Sequence, residues 1–205
     1  MIALVDYGAG NLTSVRKALT TLGVEFRTPR TAEECRGASA LIVPGVGHFS
    51  ATARLDAWRE TIASEVRRGT PLLGICVGMQ WLFDGSDEAP GVPGLGVLPG
   101  RIQRLQGDAE RRLKVPHVGW NALDVTAPST LLAGLSSGAQ VYFTHSFAAP
   151  VTAACVASTT HANTFASVVE HENVFGVQFH PEKSSDAGLR ILTNFLDLVT
   201  VGDAD

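Results

Sequence analysis

Gly74-Ile75-Cys76-Val77-Gly78 sets one cysteine between two glycines, after an apolar run and before a run with helical character. G-x-C-x-G is the thiol counterpart of the G-x-S-x-G elbow, a sharp strand-to-helix turn that exposes a nucleophile. Such a turn strains the backbone and leaves no room for bulky neighbours, hence the glycines. A thiol at a helix N-terminus meets unpaired N–H groups and the positive end of the dipole, which favour the thiolate. The N–H of Val77 is expected to point the same way and to stabilise an oxyanion. A buried core cysteine beside packing glycines would give the same five letters. The reading therefore needs a base.

Of six histidines, His180 stands at the end of the apolar strand Val174–Phe179, within Phe179-His180-Pro181-Glu182. Sheet proteins place their working groups at strand ends. Pro181 favours an extended His180, and the short spacing lets Glu182 return its carboxylate to the ring. A carboxylate on one imidazole nitrogen fixes the tautomer and frees the other nitrogen to take the thiol proton. Cys76, His180 and Glu182 thus form a candidate catalytic triad for amide cleavage, although His-Pro-Glu alone would also suit a surface turn. Pro44-Gly45-Val46-Gly47 follows a strand expected beside the elbow. Val46 and Gly47 are candidate oxyanion donors, although a tight turn alone would also call for these glycines; the glycines are consistent with a backbone that reorients before Val46 donates. Cys35 and Cys155, in a helix and a strand, read as core residues.

The elements that position these groups alternate. Strands are expected at Met1–Asp6, Val24–Arg27, Ala40–Val43 and Pro71–Ile75, and the elbow opens a short helix over Val77–Phe83. One helix carries Leu12, Val15, Leu19 and Leu22, with Asn11 as its cap; another opens at Ser50 with the stripe Leu55, Trp58, Ile62 and Val66. This alternation predicts an α/β three-layer sandwich, a central mostly parallel sheet flanked by helices. The second half changes character. Strands are expected at Ile102–Leu105, Val115–Val118, Val141–Phe147, Ala153–Ala157, Phe165–Val169 and Val174–Phe179. A final helix bears Leu189, Leu192, Leu196 and Val199, starting at Ser184 or Ser185. Gly85–Gly100 reads as a long functional loop inside a single domain spanning 1–205.

Bulk properties narrow the function. A net charge of −4 gives no reason to expect a phosphate-backbone ligand. Arg101, Arg104, Arg111, Arg112 and Lys114 cluster locally, as a solvated stretch would. Gly8-x-Gly10 and Gly45-x-Gly47 follow strands, but the first has Thr at position 13 and the second lacks a P-loop lysine. Nucleotide binding is not expected. Three widely spaced cysteines without a CxxC suggest neither disulfides nor zinc, and no metal or cofactor is expected. No signal peptide or membrane-length run is present, so a cytoplasmic location is expected.

Longer motifs extend the reading. Asp6–Leu12, Pro44–Phe49, Gly74–Gln80, Gly94–Gly100, Pro116–Asn121, Tyr142–Phe147 and Gly176–Ser184 resemble class I glutamine amidotransferases over nearly the whole chain. The resemblance is strongest to the glutaminase subunits of imidazole glycerol phosphate synthase, on Met79-Gln80 and Pro116–Asn121. It implies a flavodoxin-like fold and hydrolysis of glutamine to glutamate and ammonia through a glutamyl thioester. It assigns Gln80, His145, Ser146 and Phe147 to glutamine binding. It also implies a heterodimer with a (β/α)8-barrel cyclase subunit that receives the ammonia, and a glutaminase nearly silent until that partner binds ligand. Asn11, Trp120, Tyr142 and Lys183 are the expected docking residues; Trp120 would otherwise be a core tryptophan. His117 reads as a structural histidine, whereas His48, His161 and His171 have no evident partner. Rival readings remain open here: the glutaminase of another synthase, a free-standing cysteine hydrolase such as a γ-glutamyl peptidase, and a non-catalytic scaffold of the same fold.

Overall fold

The computed structural model describes residues 1–110 and 112–201. The first half builds β1 (Ile2–Leu4), α1 (Leu12–Thr21), β2 (Phe26–Arg27), β3 (Leu41–Gly45), α2 (Asp56–Arg67), β4 (Leu72–Cys76) and α3 (Val77–Trp81). The second half builds β5 (Gly85–Ser86), β6 (Arg101–Arg104), β7 (His117–Ala122), β8 (Asp124–Val125), β9 (Gln140–His145) and β10 (Phe147–Ala148). It ends with β11 (Cys155–His161), β12 (Asn163–His171), β13 (Val174–Val177) and α4 (Ser185–Val201).

The main sheet has the order β2-β1-β3-β4-β13-β12-β11-β8. Its first five strands are parallel, and β12, β11 and β8 continue it antiparallel. Continuous apolar runs explain the parallel centre: every residue of β3 and β4 is buried, as a strand covered on both faces requires. Alternation along the strands divides the core into two layers. Leu4, Ile42, Leu73 and Ile75 pack with Val15 and Leu19 of α1 and with Ile191, Leu192 and Phe195 of α4. Ala3, Val5, Leu41, Val43 and Leu72 pack on the other face with Leu55, Trp58 and Ile62. The three-layer arrangement expected from the sequence is thus present.

Two departures matter for the site. The strand expected over Val141–Phe147 is broken at Ser146. β9 pairs with β7 in a two-stranded ribbon, while β10 joins β6 and β5 in a second small sheet. The Ser146 carbonyl accepts the N–H of Leu105, so the chain changes sheets there. The helix expected from Ser50 begins instead as a 3₁₀ segment, Phe49–Leu55, and α2 follows from Asp56. His48, which had no evident partner in the sequence, caps that segment by accepting the N–H of Ser50. Asn11 precedes α1 but makes no side-chain cap; its amide donates to Ser14 Oγ at 2.9 Å. Of the basic residues grouped in the sequence, Arg104, Arg112 and Lys114 line one surface pocket, and Arg101 is paired with Asp87 at 2.7 Å; Arg111 lies outside the described residues.

Close backbone approach sets the centre of the sheet. A Cβ added at Gly45 would stand 2.5 Å from the Tyr7 hydroxyl and 2.8 Å from the Gly78 nitrogen. Real side chains do not tolerate such contacts, and overpacking of this kind costs about 1–3 kcal/mol. Gly45→Ala is expected to lower the unfolding free energy by that amount, read by circular dichroism as a lower urea midpoint at unchanged m-value.

Candidate active site

Cys76 is the last residue of β4 and the residue before α3, with φ 55° and ψ −112°. A β-carbon disfavours positive φ, so packing must hold this conformation. It does so through glycines. A Cβ at Gly74 would lie 2.7 Å from the Gly78 carbonyl oxygen and from Met79 N, and one at Gly78 would collide with the Val43 carbonyl. A Cβ at Gly176 of β13 would meet the Met79 side chain at 2.7 Å. α3 therefore rests directly on the backbones of β3, β4 and β13. Gly45 pairs with Cys76 in the parallel register, which brings Val46 and Gly47 beside the thiol. Gly47 has φ +87° in open space, so that turn needs glycine for its dihedral rather than for room.

His180 lies three residues past the end of β13 in extended backbone. Its N–H donates to the Tyr142 carbonyl at 2.9 Å, and its own carbonyl accepts Ser184 Oγ at 2.6 Å. Ser184 Oγ in turn accepts the N–H of Tyr142, closing a triangle between β9 and the His180 turn. Pro181 opens a short 3₁₀ turn, Pro181–Lys183, that swings Glu182 back under the ring. His180 Nδ1 and Glu182 Oε1 are 2.8 Å apart, and both side chains are almost wholly buried. The carboxylate accepts, so Nδ1 carries a hydrogen and Nε2 is left for other work. Nε2 is buried and makes no well-formed hydrogen bond. Burial works to lower the His180 pKa, but the Cys76 sulfur and the Glu182 carboxylate together prevail and push it up to about 10.

Cys76 and His180 open into one cavity of about 430 Å³. Val46, Gly47, Val77, Gln80, His145, Ser146 and Phe147, all expected at the site, line it as well. Glu182 stands behind His180 and does not reach it. Asn11 and Lys183, expected at a docking surface, also belong to the lining. Trp120 and Tyr142 do not. Trp120 is half-exposed rather than core, and it meets the Tyr142 ring edge-on at 6.0 Å. Lys183 Nζ sits 5.9 Å over that same ring, and exposed Val118 extends the surface along β7. Trp58 and Trp81 are buried packing residues, as their helical positions suggested.

Several neighbours were not singled out from the sequence. Gln178 donates to Cys76 Sγ at 3.8 Å and accepts Gln80 Nε2 at 3.0 Å. Period-two alternation from His180 would have found it. Glu88 lines the cavity and accepts the N–H of Phe49 at 2.7 Å. It lies on the Gly85–Gly100 loop, where no periodicity marks it. His161, which had no evident partner, stacks on His117 at 4.2 Å and bonds the Lys114 carbonyl through Nε2 at 2.7 Å. Burial, together with neighbouring histidine charge, depresses the pKa of His117 to about 3. Burial also holds His145 down, to about 4. Cys35 and Cys155 are buried thiols, and burial raises both, Cys35 to about 11. Among the described residues no group of His, Cys, Asp and Glu is placed to hold a metal, and no helix is long and apolar enough to cross a membrane.

These shifts fix the sign of the pH dependence. His117 and His145 bind protons less readily folded than unfolded, so their contribution is present above about pH 6.5 and lost as pH falls toward 4. His180 binds its proton more tightly folded, so its contribution is present below about pH 6.5 and lost as pH rises toward 10. Urea midpoints measured from pH 4 to 10 are expected to peak near neutrality. His145→Gln should flatten the acid limb, and His180→Asn the alkaline limb.

The family model described as glutamine amidotransferase class-I matches residues 3–199. The chain is 44% identical to a protein of Deinococcus radiodurans named imidazole glycerol phosphate synthase subunit HisH, over 95% of this chain and 92% of that one. Proteins of the same name from Xylella fastidiosa and Thermococcus kodakarensis are 46% and 45% identical, covering 96% and 95% of this chain and 97% and 98% of their own. A crystal structure described as a glutamine amidotransferase superposes with a TM-score of 0.76 at 24% identity, over 98% of this chain and all of the other, which bears on the fold. The chain belongs to the class I glutamine amidotransferase family.

Proposed function

We propose that this chain is the glutaminase subunit of an imidazole glycerol phosphate synthase, with Cys76, His180 and Glu182 as its catalytic triad. The observation that carries the chemistry is the buried His180–Glu182 pair, with Nε2 left over beside a strained cysteine in one cavity. The relatives' shared name supports the choice of synthase.

The steps follow from these positions. His180, whose pKa the Cys76 sulfur and the Glu182 carboxylate push up to about 10, already holds the thiol proton on Nε2 at neutral pH, and Cys76 Sγ attacks the side-chain carbonyl carbon of glutamine. The negative oxygen of the tetrahedral intermediate takes backbone N–H groups from the Val46–Gly47 turn and from Val77. An amide nitrogen leaves poorly unless protonated, so His180 returns its proton to it as the C–N bond breaks. Ammonia departs and a glutamyl thioester remains. Water then attacks the thioester while His180 takes a proton; the C–S bond breaks, glutamate forms, and the Cys76 thiolate is restored beside the protonated His180. Glu182 holds the imidazole in the tautomer that both transfers require.

Gln80 lies one helical turn after Cys76, and Nε2 of its amide is tied to Phe147 O and Gln178 Oε1. It acts with the backbone of His145–Phe147 as one wall of the glutamine site. Glu88 supplies the carboxylate of the lining and suits the substrate α-ammonium. Asn11, Trp120, Tyr142 and Lys183 form the docking side for the cyclase subunit, which receives ammonia at the cavity mouth. An exposed aromatic pair beside a cation is the composition of an interface anchor.

Glutamate release by the parent chain is expected to require the cyclase subunit with its ribotide ligand, and Cys76→Ala should abolish it. Undiminished release by Cys76→Ala would sink the triad. Glu182→Gln should lower kcat at least about a hundredfold. Trp120→Ala should weaken the complex by about thirtyfold in Kd, measured by calorimetry, with the fold intact. Activation by a different synthase partner instead would reassign the pathway but leave the chemistry.

A further inference from the structure

A hydrogen-bonded chain runs from the far strand of the β7–β9 ribbon to the wall of the cavity. Its direction is set at one end by backbone. The N–H of Ala122 donates to Asn121 Oδ1 at 2.8 Å, which makes the other terminal atom of that side chain the donor nitrogen. Asn121 Nδ2 donates to the Thr160 carbonyl at 3.2 Å and faces His117 Nε2 at 3.3 Å. His117 Nε2 must therefore accept, and a neutral His117 carries its hydrogen on Nδ1. That hydrogen points at His145 Nε2, 3.1 Å away. His145 Nε2 accepts in turn, so its own hydrogen sits on Nδ1 and is donated to the Phe147 carbonyl at 2.9 Å. The same carbonyl accepts Gln80 Nε2 at 2.8 Å.

Each link permits one arrangement of protons. A doubly protonated His145 would aim Nε2–H at the Nδ1–H of His117, two donors at 3.1 Å. A His117 with its hydrogen on Nε2 would oppose the amide of Asn121 in the same way. The surroundings favour the neutral rings: His117 stacks on Phe143 and His161, and His145 packs edge-on to Phe165. The direction of burial shifts at both histidines agrees. Neither His117 nor Asn121 lines the cavity, whereas His145 and Phe147 do.

We propose that His117 and Asn121 are positioning residues for glutamine binding: the hydrogen that His117 Nδ1 donates to Nε2 of His145 holds that ring in place and neutral, so that its Nδ1–H fixes the Phe147 carbonyl and with it Gln80. This rests on the glutaminase reading. The chain also places the proton order of the substrate wall on the strand whose exposed residues, Val118 and Trp120, form the docking surface.

The test uses two readouts. Heteronuclear NMR of the imidazole nitrogens in the parent chain should find His145 neutral with hydrogen on Nδ1, and His117→Phe, which frees Nε2 to take a proton, should raise the pH at which His145 titrates by at least about one unit. In the complex with the cyclase subunit, His117→Phe should raise the glutamine KM roughly three- to tenfold, the loss of about one neutral hydrogen bond, with kcat within about twofold. His117→Asn keeps an N–H near the Nδ1 position and should bring KM back to within about twofold of the parent. A His145 that titrates at the parent's pH in His117→Phe, or a KM there within about twofold of the parent, overturns the proposal. If His117→Phe does not fold, Asn121→Leu removes the donor at the other end and is judged by the same two criteria. Failure of the parent complex to hydrolyse glutamine would instead defeat the glutaminase reading, and the tautomer spectra would still report on the chain.

Discussion

The positive φ of Cys76 is the constraint from which the rest of the site follows. A residue with a β-carbon rests in that conformation only when its surroundings allow nothing else. Here the surroundings are backbone. α3 lies against β3, β4 and β13 so closely that Gly45, Gly74, Gly78 and Gly176 cannot carry side chains without displacing a neighbour. Side chains can repack around a change of a methyl group, but main chains in a parallel sheet cannot. The strain at Cys76 is therefore borne by the stiffest part of the protein. The same closeness sets Val46 and Gly47 beside the sulfur, because register in a parallel pair cannot slip without moving every residue of β3 to the wrong layer.

The other half of the site is held differently. His180 is outside any strand, and polar bonds tie it down: Tyr142 carbonyl to its nitrogen, Ser184 hydroxyl to its oxygen, Glu182 carboxylate to its ring. A Cβ at Gly188 of α4 would collide with the Pro181 carbonyl, so the helix caps this turn at contact distance. Cys76 is thus fixed by main-chain packing and His180 by a hydrogen-bonded turn. Tyr142 joins the two regimes, since its backbone holds His180 and its ring faces outward toward Trp120.

How much of this the sequence discloses depends on the kind of force involved. The parallel strands were legible because burial on both faces demands continuous apolar runs, as in Leu41–Val43 and Leu72–Ile75. The candidate triad was legible because the proposed chemistry restricts residue type at close spacing. The break at Ser146 was not, because Val141–Phe147 has strand character throughout and only the competing partners, β7 and β6, divide it. The 3₁₀ start before α2 depends on a cap from His48 that no propensity announces. Gln178 and Glu88 act across long sequence separations, and the proton order through Asn121, His117 and His145 is a property of three-dimensional neighbours.

Lys183 is both a lining residue of the cavity and a neighbour of the aromatic pair on the surface. Rim and docking patch are therefore one continuous strip, without a boundary between them. A protein seated on that strip becomes part of the wall of the reaction vessel. In the proposed complex a partner there would replace bulk solvent on that side, and the compartment would be completed by two chains and belong to neither alone. In such an arrangement leakage is governed by the fit of the seam, and each chain constrains how the other can drift in sequence along it.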